Sequence, residues 1–526
     1  MTNTYDVIIA GAGHNGLTVG AYLAKAGLNI CVVEAMDYVG GGVSTNEVTL
    51  PGFKHDLCST WHGVIQANPM IVDDELGLLS KFGLKYLYPD IHTAVVFPDD
   101  SSIIFYRDLE KTCASIGKIS KKDAEAYRKF HDWSIKMLDM VTTGMFNCPP
   151  PFGSFVSLLD QSEEGRELLR AQLVSARDVC DEWFESDELK IALMRFASEG
   201  LITPQSKGIG LVLFIFVPLM HKYGGGLPIG GSGVLSQSLA RCIEHHGGTI
   251  KVSTPVKSFK ISDNEVSGVI LESGEELLAK KGVVTNFNPQ QIFPEMVQGA
   301  KLPDGFVDKL GRLSHSEFVA INQAIALNEA PHYTAGGDVN DSMWVQFCSN
   351  NIEDFLRGFE NFNYGIPSPD FPLMVTSTLF DKTRAPEGKH TLYLYHFEPY
   401  ELKDGGAARW DDIKEEFSDE IMERLRKQTT NMGDNNILGR WIHTPLDFER
   451  YNASWLQGDI LHWGFQVWQS GANRPLPGWG QYKTPVKKLY LTGSSAHPGG
   501  GVTGGGRATA QVVMEDLGID FEKVIG

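Results

Sequence analysis

The sequence has no excess of basic residues. Lysine and arginine total 46 against 65 aspartates and glutamates, and the formal net charge is −19. Because proteins bind nucleic-acid phosphates with lysine and arginine, this charge argues against a nucleic-acid partner. The remaining composition, 42% hydrophobic and 21% charged over 526 residues, is typical of a globular protein. A chain of this length predicts two or more domains.

Cysteine is scarce and forms no motif. The sequence has seven cysteines and no C-x-x-C pair, so we expect reduced, unmetallated thiols in an intracellular protein. Metal-ligand spacing, a P-loop and a Ser-His-Asp set are also missing. We therefore predict no metal site and expect an organic cofactor to supply the chemistry. The cysteines are Cys31, Cys58, Cys113, Cys148, Cys180, Cys242 and Cys348.

Long apolar runs are missing as well. No segment reaches the roughly 18 to 20 apolar residues that a membrane-spanning helix requires. The run from Ile209 to Met220 is too short and contains a proline. A strand pattern from Tyr5 onward leaves no room for a targeting peptide, so the cytoplasm is the expected location.

The amino-terminal stretch "YDVIIAGAGHNGLTVGAYLAKAGLNICVVEA" contains a complete βαβ pattern. An apolar strand leads into Gly11-Ala12-Gly13-His14-Asn15-Gly16, which fits G-x-G-x-x-G, and a helix is predicted from Leu17 to Ala26. Gly11 permits the tight turn, Gly13 lets a pyrophosphate approach the backbone, and Gly16 lets helix and strand pack closely. A second strand ends at Glu34, which is placed to bind ribose hydroxyls. The stretch predicts dinucleotide binding.

A second glycine cluster follows the acidic residue directly. Gly40, Gly41 and Gly42 precede Val43 and a loop that ends in "TWHG". This block resembles the flavoprotein family that contains phytoene desaturases, monoamine oxidases and Rab GDP-dissociation inhibitors, whose members have G-G-R-x-x-[ST] close to the flavin. Gly42 departs from that pattern, because it stands where arginine is commonest. The resemblance implies that Gly41, Gly42 and Val43 bind the cofactor.

Two later blocks extend the resemblance. In the middle, Gly230 to Gly233 precede a predicted helix from Val234 to His245, and the backbone of Val256 is implied to flank the adenine. Near the end, "LYLTGSSAHPGGGVTGGGRATA" reads as strand, glycine-rich turn and helix. It is similar to the carboxyl-terminal signature of phytoene desaturase-like proteins and of the pyridine nucleotide-disulfide oxidoreductase domain protein 2 branch. The implied cofactor-binding residues here are Gly493, Pro498, Gly500, Gly501, Val502 and Thr503.

The resemblance implies an α/β fold with a Rossmann-type FAD-binding domain and a second, mixed α+β substrate-binding domain. The FAD-binding domain is expected to be discontinuous, over residues 1–66, 224–288 and 486–526, with residues 67–223 and 289–485 forming the substrate domain. The apolar run at 209–220 is expected to lie buried under the flavin domain. The alternative, a monotopic membrane contact, is disfavoured because no basic cluster adjoins the run.

Aromatic residues mark the predicted substrate side. Trp61 and His62 should face the flavin by family analogy, and an imidazole there could take a proton. His462, Trp463 and Trp468 belong to an aromatic stretch that suits an apolar or flat substrate. His497 is implied by the signature to lie next to the flavin ring. Its two possible roles are to hold the turn and to take part in catalysis.

These features predict an FAD-dependent desaturase or dehydrogenase that acts on a C–C bond of a hydrophobic or cyclic molecule. An amine oxidase, a polyene isomerase without net redox change, and a prenyl-protein binder like the GDP-dissociation inhibitors are the alternatives. The intact dinucleotide loop weighs against the last. FAD is expected to be non-covalent, because the cysteine that carries it in related amine oxidases lies near the carboxyl end and Cys348 is the last here. The electron acceptor, oxygen or quinone, and the oligomeric state stay open.

Overall fold

The computed structural model describes residues 3–526. Its strands are β1 (Thr4–Ala10), β2 (Ile30–Val33), β3 (Thr45–Asn46), β4 (His55–Asp56), β5 (Tyr86–Leu87), β6 (Ile91–Val96), β7 (Ser102–Tyr106), β8 (Leu227–Pro228), β9 (Thr249–Lys251), β10 (Val256–Ser262), β11 (Glu265–Leu271), β12 (Glu276–Thr285), β13 (Val319–Leu327), β14 (Trp344–Phe347), β15 (Leu373–Val375), β16 (His390–Glu398), β17 (Ile437–His443) and β18 (Leu489–Leu491).

The helices follow in the same chain order. They are α1 (His14–Lys25), α2 (Pro69–Val72), α3 (Leu109–Ile116), α4 (Lys121–Phe146), α5 (Phe152–Leu159), α6 (Glu163–Ala171), α7 (Ala176–Trp183), α8 (Asp187–Ala197), α9 (Gly210–Lys222), α10 (Gly233–His245), α11 (Pro289–Gln291), α12 (Phe306–Leu310), α13 (Ile352–Phe362), α14 (Arg409–Lys427), α15 (Pro445–Tyr451), α16 (Gly506–Asp516) and α17 (Phe521–Ile525).

The first sheet is built around five parallel strands in the order β9-β2-β1-β12-β18. β10 and β11 extend it as an antiparallel meander beside β12. Strands β1 and β2 are almost wholly apolar and buried, as strands covered on both faces must be. Helix α1 packs between α10 and α16 on one face. The predicted α/β class with a Rossmann-type domain is confirmed.

The second sheet is mixed, with the order β17-β13-β16-β15-β14-β6-β7. Its strands have a two-residue alternation that separates two faces. Tyr393 and Tyr395 of β16 pack on the face toward helices α7 to α9, whereas Leu392 and Leu394 pack on the opposite face with α14. The two faces therefore belong to different apolar clusters, and the face with the tyrosines lies against the interior of the molecule.

The strands follow the expected division into two domains, but one other segment does not. All strands of the first sheet come from the three segments assigned to the FAD-binding domain, and those of the second from the other two. However, residues 70–84 bury Met70, Leu78 and Leu84 in the apolar cluster of β1, α1 and α10. The expected boundary at residue 66 therefore falls too early, because these apolar side chains complete the core of the first sheet.

Helix α9 contains the apolar run that the sequence singled out. It packs against α4, α6, α7 and α8 in the helical layer beside the second sheet, rather than under the first sheet as expected. Its neighbours are the apolar faces of those helices, which explains why it is hydrophobic nearly all round. Within residues 3–526, no helix combines the length and apolar character needed to cross a membrane.

Candidate functional site

A cavity of about 600 Å³ lies between the two sheets. One part of its wall comes from the carboxyl ends of the parallel strands: residues after β1, β2, β9, β12 and β18 all line it. Ligands of open parallel sheets bind at this edge. The sequence-predicted residues in the wall are Gly11, Gly13, His14, Asn15, Glu34, Gly41, Gly42, Val43, Trp61, Val256, His462, Gly501 and Val502.

The loop after β1 presents bare backbone to the cavity. Gly11 has a φ of 95°, which favours glycine, and its N–H donates to Val33 O at 2.8 Å. Gly13 caps α1 without a side-chain hydrogen bond, so the helix amino terminus is open toward the cavity. A Cβ on Gly16 would overlap the carbonyl oxygen of Gly11, so Gly16 serves helix–strand packing outside the cavity wall. Helix α1 begins at His14, three residues earlier than predicted, because the motif itself forms its first turn.

Glu34 ties the loop to the second strand. Its carboxylate accepts hydrogen bonds from the N–H of Ala12 at 2.7 Å and of Met36 at 3.0 Å. The carboxylate also lines the cavity, where a ribose hydroxyl could reach it. The carboxylate of Glu34 therefore shapes the glycine loop after β1 as well as its own turn.

The second glycine cluster lies against the first. Gly40 donates its N–H to Ala12 O at 2.9 Å and forms a bridge with Gly13. A Cβ on Gly42 would lie 3.2 Å from the indole of Trp455, which also lines the cavity. The indole therefore fills the space next to Gly42, so a larger side chain at this position would require Trp455 to move.

The carboxyl-terminal glycine run closes the other side of the same groove. Asn286, which follows β12, fits between the two ends of the chain: a Cβ on Gly13 would lie 2.6 Å from its Nδ2, and one on Gly493 would overlap its Oδ1. Gly506 donates its N–H to Asn15 Oδ1 at 3.2 Å. Gly501 has a φ of 92° and no atom within 4 Å of its missing Cβ. The first and last glycine clusters are therefore adjacent.

Four other predicted residues of this run lie behind the cavity wall. A Cβ on Gly500 would overlap Leu461, and one on Gly493 would overlap Asn286. Thr503 Oγ1 accepts the N–H of Gly505 at 3.2 Å, and Pro498 packs beside the same glycine. These residues shape the loop through packing, so their prediction as direct cofactor ligands has no support in the geometry.

The two histidines predicted for catalysis have other partners. His62 is fully buried and lies outside the cavity wall, with Nδ1 2.9 Å from the hydroxyl of Tyr86 and Nε2 3.1 Å from that of Ser232. Burial lowers the pKa of His62 to about 3, which opposes a role in accepting protons. His497 Nε2 donates to Gly144 O of α4 at 2.8 Å, and holds the glycine turn against that helix.

The aromatic stretch is divided between cavity and core. His462 lines the cavity and its Nδ1 lies 2.5 Å from Ser495 Oγ. Trp463 is fully buried beneath the guanidinium of Arg474, 5.1 Å from the ring centre, and Trp468 is 60% exposed. Neither tryptophan is in the cavity wall, so their predicted substrate contact is not what the structure shows. Trp463 is core packing, and Trp468 lies at the surface on a short helical turn.

An aromatic chamber lies next to the glycine-lined groove; Trp61 in it was predicted, and most of its other residues were missed by the sequence reasoning. Trp61 lies edge-on to Trp344 at 5.2 Å between ring centres, and both line the cavity. The other aromatic and acidic members are Phe196, Glu199, Phe216, Tyr393, Tyr395, Phe448, Tyr451 and Trp455. The alternation in "HTLYLYHFE" could have placed the two tyrosines on one strand face, but no local pattern indicated Glu199.

The matches to known proteins agree with this geometry. Residues 9–71 match the NAD(P)-binding Rossmann-like domain family. The chain is 32% identical to pyridine nucleotide-disulfide oxidoreductase domain-containing protein 2 of Rattus norvegicus, over 98% of this chain and 94% of that protein. The chain belongs to this family.

Further relatives place the family in the phytoene desaturase-like, amine-oxidase superfamily, as the sequence motifs predicted. A limonene dehydrogenase chain of Castellaniella defragrans is 27% identical over 98% of this chain and 95% of that one. Phytoene desaturase (lycopene-forming) of Pantoea ananas is 25% identical over 97% and 99%. The structure of putrescine oxidase bound to putrescine superimposes with a TM-score of 0.61 over 98% of this chain and all of that chain, at 16% identity, and shows the shared fold.

The groove of this family member fits FAD. Gly13, Gly41 and Gly501 face the cavity with no side chain, so a cofactor can contact their backbone along the groove. Nε2 of the half-buried His14 is shielded from solvent and has no hydrogen-bond partner, and desolvation lowers the pKa of His14 to about 4. A neutral imidazole at this position offers a donor or acceptor to a bound group.

Proposed function

We propose that the protein is an FAD-dependent dehydrogenase that oxidises a C–C bond of a hydrophobic or cyclic small molecule. The observation that carries this proposal is a continuous cavity in which a glycine-lined groove opens into an aromatic chamber. The names of two relatives, a limonene dehydrogenase and a phytoene desaturase, support the substrate class. FAD, when bound, supplies the hydride acceptor.

The residues of the chain would bind the cofactor, orient the substrate and exclude water from the site. The backbone of Gly13 and the amino terminus of α1 would hold the pyrophosphate, and Glu34 the ribose. Trp61, Trp344 and Tyr395 would hold an apolar substrate flat against the groove. Burial raises the pKa of the Cys58 thiol, which lines the cavity, so the thiol stays protonated and a non-covalent cofactor is proposed.

The test begins with the purified protein. It should be yellow and release FAD on denaturation, and the flavin should bleach anaerobically with limonene or a related cyclic hydrocarbon but not with putrescine. Reoxidation with oxygen and with a soluble quinone then compares the two proposed acceptors. Colourless, folded protein would contradict the proposal. Bleaching by the amine alone would favour an amine oxidase, and substrate conversion without bleaching would favour an isomerase.

A further inference from the structure

One carboxylate stands in the aromatic part of the cavity wall. Glu34, Glu199 and Glu295 are the carboxylates among the described residues that line the cavity. Glu34 belongs to the dinucleotide groove, and the segment of Glu295 packs against β10 of the first sheet. Glu199 follows α8 and lines the chamber together with Phe196 and Tyr395. A charged group in such a chamber needs a reason, because burying it in apolar surroundings costs free energy.

Glu199 is held by a buried arginine of the preceding helix. Arg195 Nη1 donates to Glu199 Oε1 at 2.6 Å, and the guanidinium stacks on the ring of Phe397 at 4.1 Å. Arg195 is fully buried, and its Nε and Nη2 have no hydrogen-bond partner. An ion pair whose arginine is buried with unsatisfied donors contributes little to stability. The ion pair fixes Oε1 of Glu199 and leaves Oε2 of Glu199 without a hydrogen bond to any described residue.

We propose that Glu199 is the base that accepts the substrate proton, and that Arg195 is its positioning residue. This inference rests on the proposed dehydrogenase function. One hydrogen leaves the substrate as hydride with both electrons of its C–H bond and goes to oxidised FAD. The neighbouring carbon loses its hydrogen as a proton to the Glu199 carboxylate, and the electrons of that C–H bond become the new C=C bond. The protonated carboxyl later returns the proton to solvent.

The pH dependence follows from the groups around the carboxylate. Arg195 faces it from α8, and Tyr393 and Tyr395 face it from β16; both phenols stay neutral because burial raises their pKa. Burial also raises the pKa of Glu199, and Arg195 partly opposes this. A base acts in its deprotonated form, so the rate should increase with pH through the pKa of Glu199. Removal of the Arg195 charge should move that profile to higher pH.

The experiment uses the holoprotein and the donor that bleaches the wild-type flavin. Glu199→Gln should lower the bleaching rate constant by about 100-fold or more, the scale of general-base catalysis, at unchanged FAD content. Glu423→Gln, which removes the acid of an exposed Arg–Glu pair on α14, should leave it unchanged. Arg195→Met should shift the pH dependence of the bleaching rate to higher pH. Arg195→Lys keeps a positive charge and should therefore show a smaller shift. The double variant Arg195→Met/Glu199→Gln lacks the charges of both residues and should stay slow.

A second readout needs no turnover. The difference between the infrared spectra at low and high pH should contain the band of a protonated carboxyl group, and Glu199→Gln should lack this band. In Arg195→Met the band should persist to higher pH than in the wild type. If a hydrocarbon bleaches the wild-type flavin and Glu199→Gln bleaches at the same rate, the base assignment is overturned and the dehydrogenase proposal stays intact. An infrared band unaffected by Glu199→Gln would also overturn it. A wild-type flavin that no hydrocarbon bleaches would overturn the dehydrogenase proposal itself, and the base assignment with it.

Discussion

At the scale of single residues, the site depends on glycines that leave space for one particular neighbour. Gly13 makes room for Asn286, Gly42 for Trp455, and Gly225 for the indole of Trp61. Each of these neighbours reaches the cavity from a distant part of the chain. These glycines therefore admit the side chains that shape the groove, and we expect Gly13 also to let a cofactor approach its backbone.

Replacement of Gly13 by valine should abolish FAD retention. Its backbone is extended, with a φ of −61°, so the new side chain is not strained but projects toward Asn286 and the phosphate position. The measurement is the flavin-to-protein absorbance ratio after gel filtration. Gly433→Val is the matched control, since Gly433 also caps a helical turn with a φ of −76° and has open space around it. Equal FAD content in the two variants would show that the phosphate loop lies elsewhere.

Gly225→Ala should destabilise the fold through Trp61. The added methyl group would overlap the indole and push the ring from the cavity wall, an overpacking that costs about 1–3 kcal/mol. Thermal unfolding of the variant should therefore occur at lower temperature. The same change at Gly144, where nothing lies within 4 Å, should be neutral or slightly stabilising. An unchanged melting temperature in Gly225→Ala would contradict the placement of Trp61.

At the scale of elements, the two ends of the chain are joined by helix α16. Its Arg507 forms a two-pronged ion pair with Glu75, at 2.7 Å and 2.6 Å, and Tyr22 of α1 donates to the same carboxylate. Both charged side chains are under 10% exposed. The carboxyl-terminal glycine loop is thereby fixed to the helix that starts at the first glycine motif.

Arg507→Met should lower the free energy of unfolding by about 3–5 kcal/mol, because it leaves the Glu75 carboxylate buried without its cation. The double variant Glu75→Leu/Arg507→Met removes both charges and should be less destabilised than the single one. Denaturant unfolding followed by circular dichroism gives the comparison. Additive losses in the cycle would mean that the pair is not coupled.

At the scale of the whole molecule, another buried arginine, Arg384, connects chain segments that belong to different sheets. Arg384 donates to Asp56 of β4, to Asp381, and to Pro228 O of β8. Arg384, Asp56 and Asp381 are all buried at about 1% side-chain exposure. The network holds the loop that carries Trp61 against the strand that follows the helical layer.

This network should make the protein sensitive to acid. Burial alone would raise the pKa of Asp381, but hydrogen bonds from the N–H groups of Gly230 and Thr383, together with Arg384, lower it below the ordinary value. A carboxyl with a lowered folded-state pKa stabilises the fold above its unfolded pKa, and the contribution is lost as the pH falls through the folded value. The free energy of unfolding should therefore decrease below about pH 4. Asp381→Asn should be less stable at pH 7 and show a shallower decrease; parallel curves would exclude Asp381 as a contributor.

The sequence by itself determined the glycine loops and the acidic residue of the predicted dinucleotide groove. The G-x-G-x-x-G motif, Glu34 and the carboxyl-terminal glycine run were found from local spacing alone, because strand, turn and helix preferences are short-range properties. The α/β class was implied by the family resemblance that these motifs carry. The predicted wall residues Trp61, Val256 and His462 also lie in the cavity, although their roles stay predictions.

Tertiary structure decided which side chains meet. It assigned Trp463 to the core, Trp468 to the surface and His62 to a buried hydrogen-bond network, and it brought Glu199 and Tyr395 into the chamber from elements about 200 residues apart in the numbering. The physical reason is that a backbone loop depends on its own few residues, whereas the orientation of a side chain toward a cavity depends on the packing of every element around it.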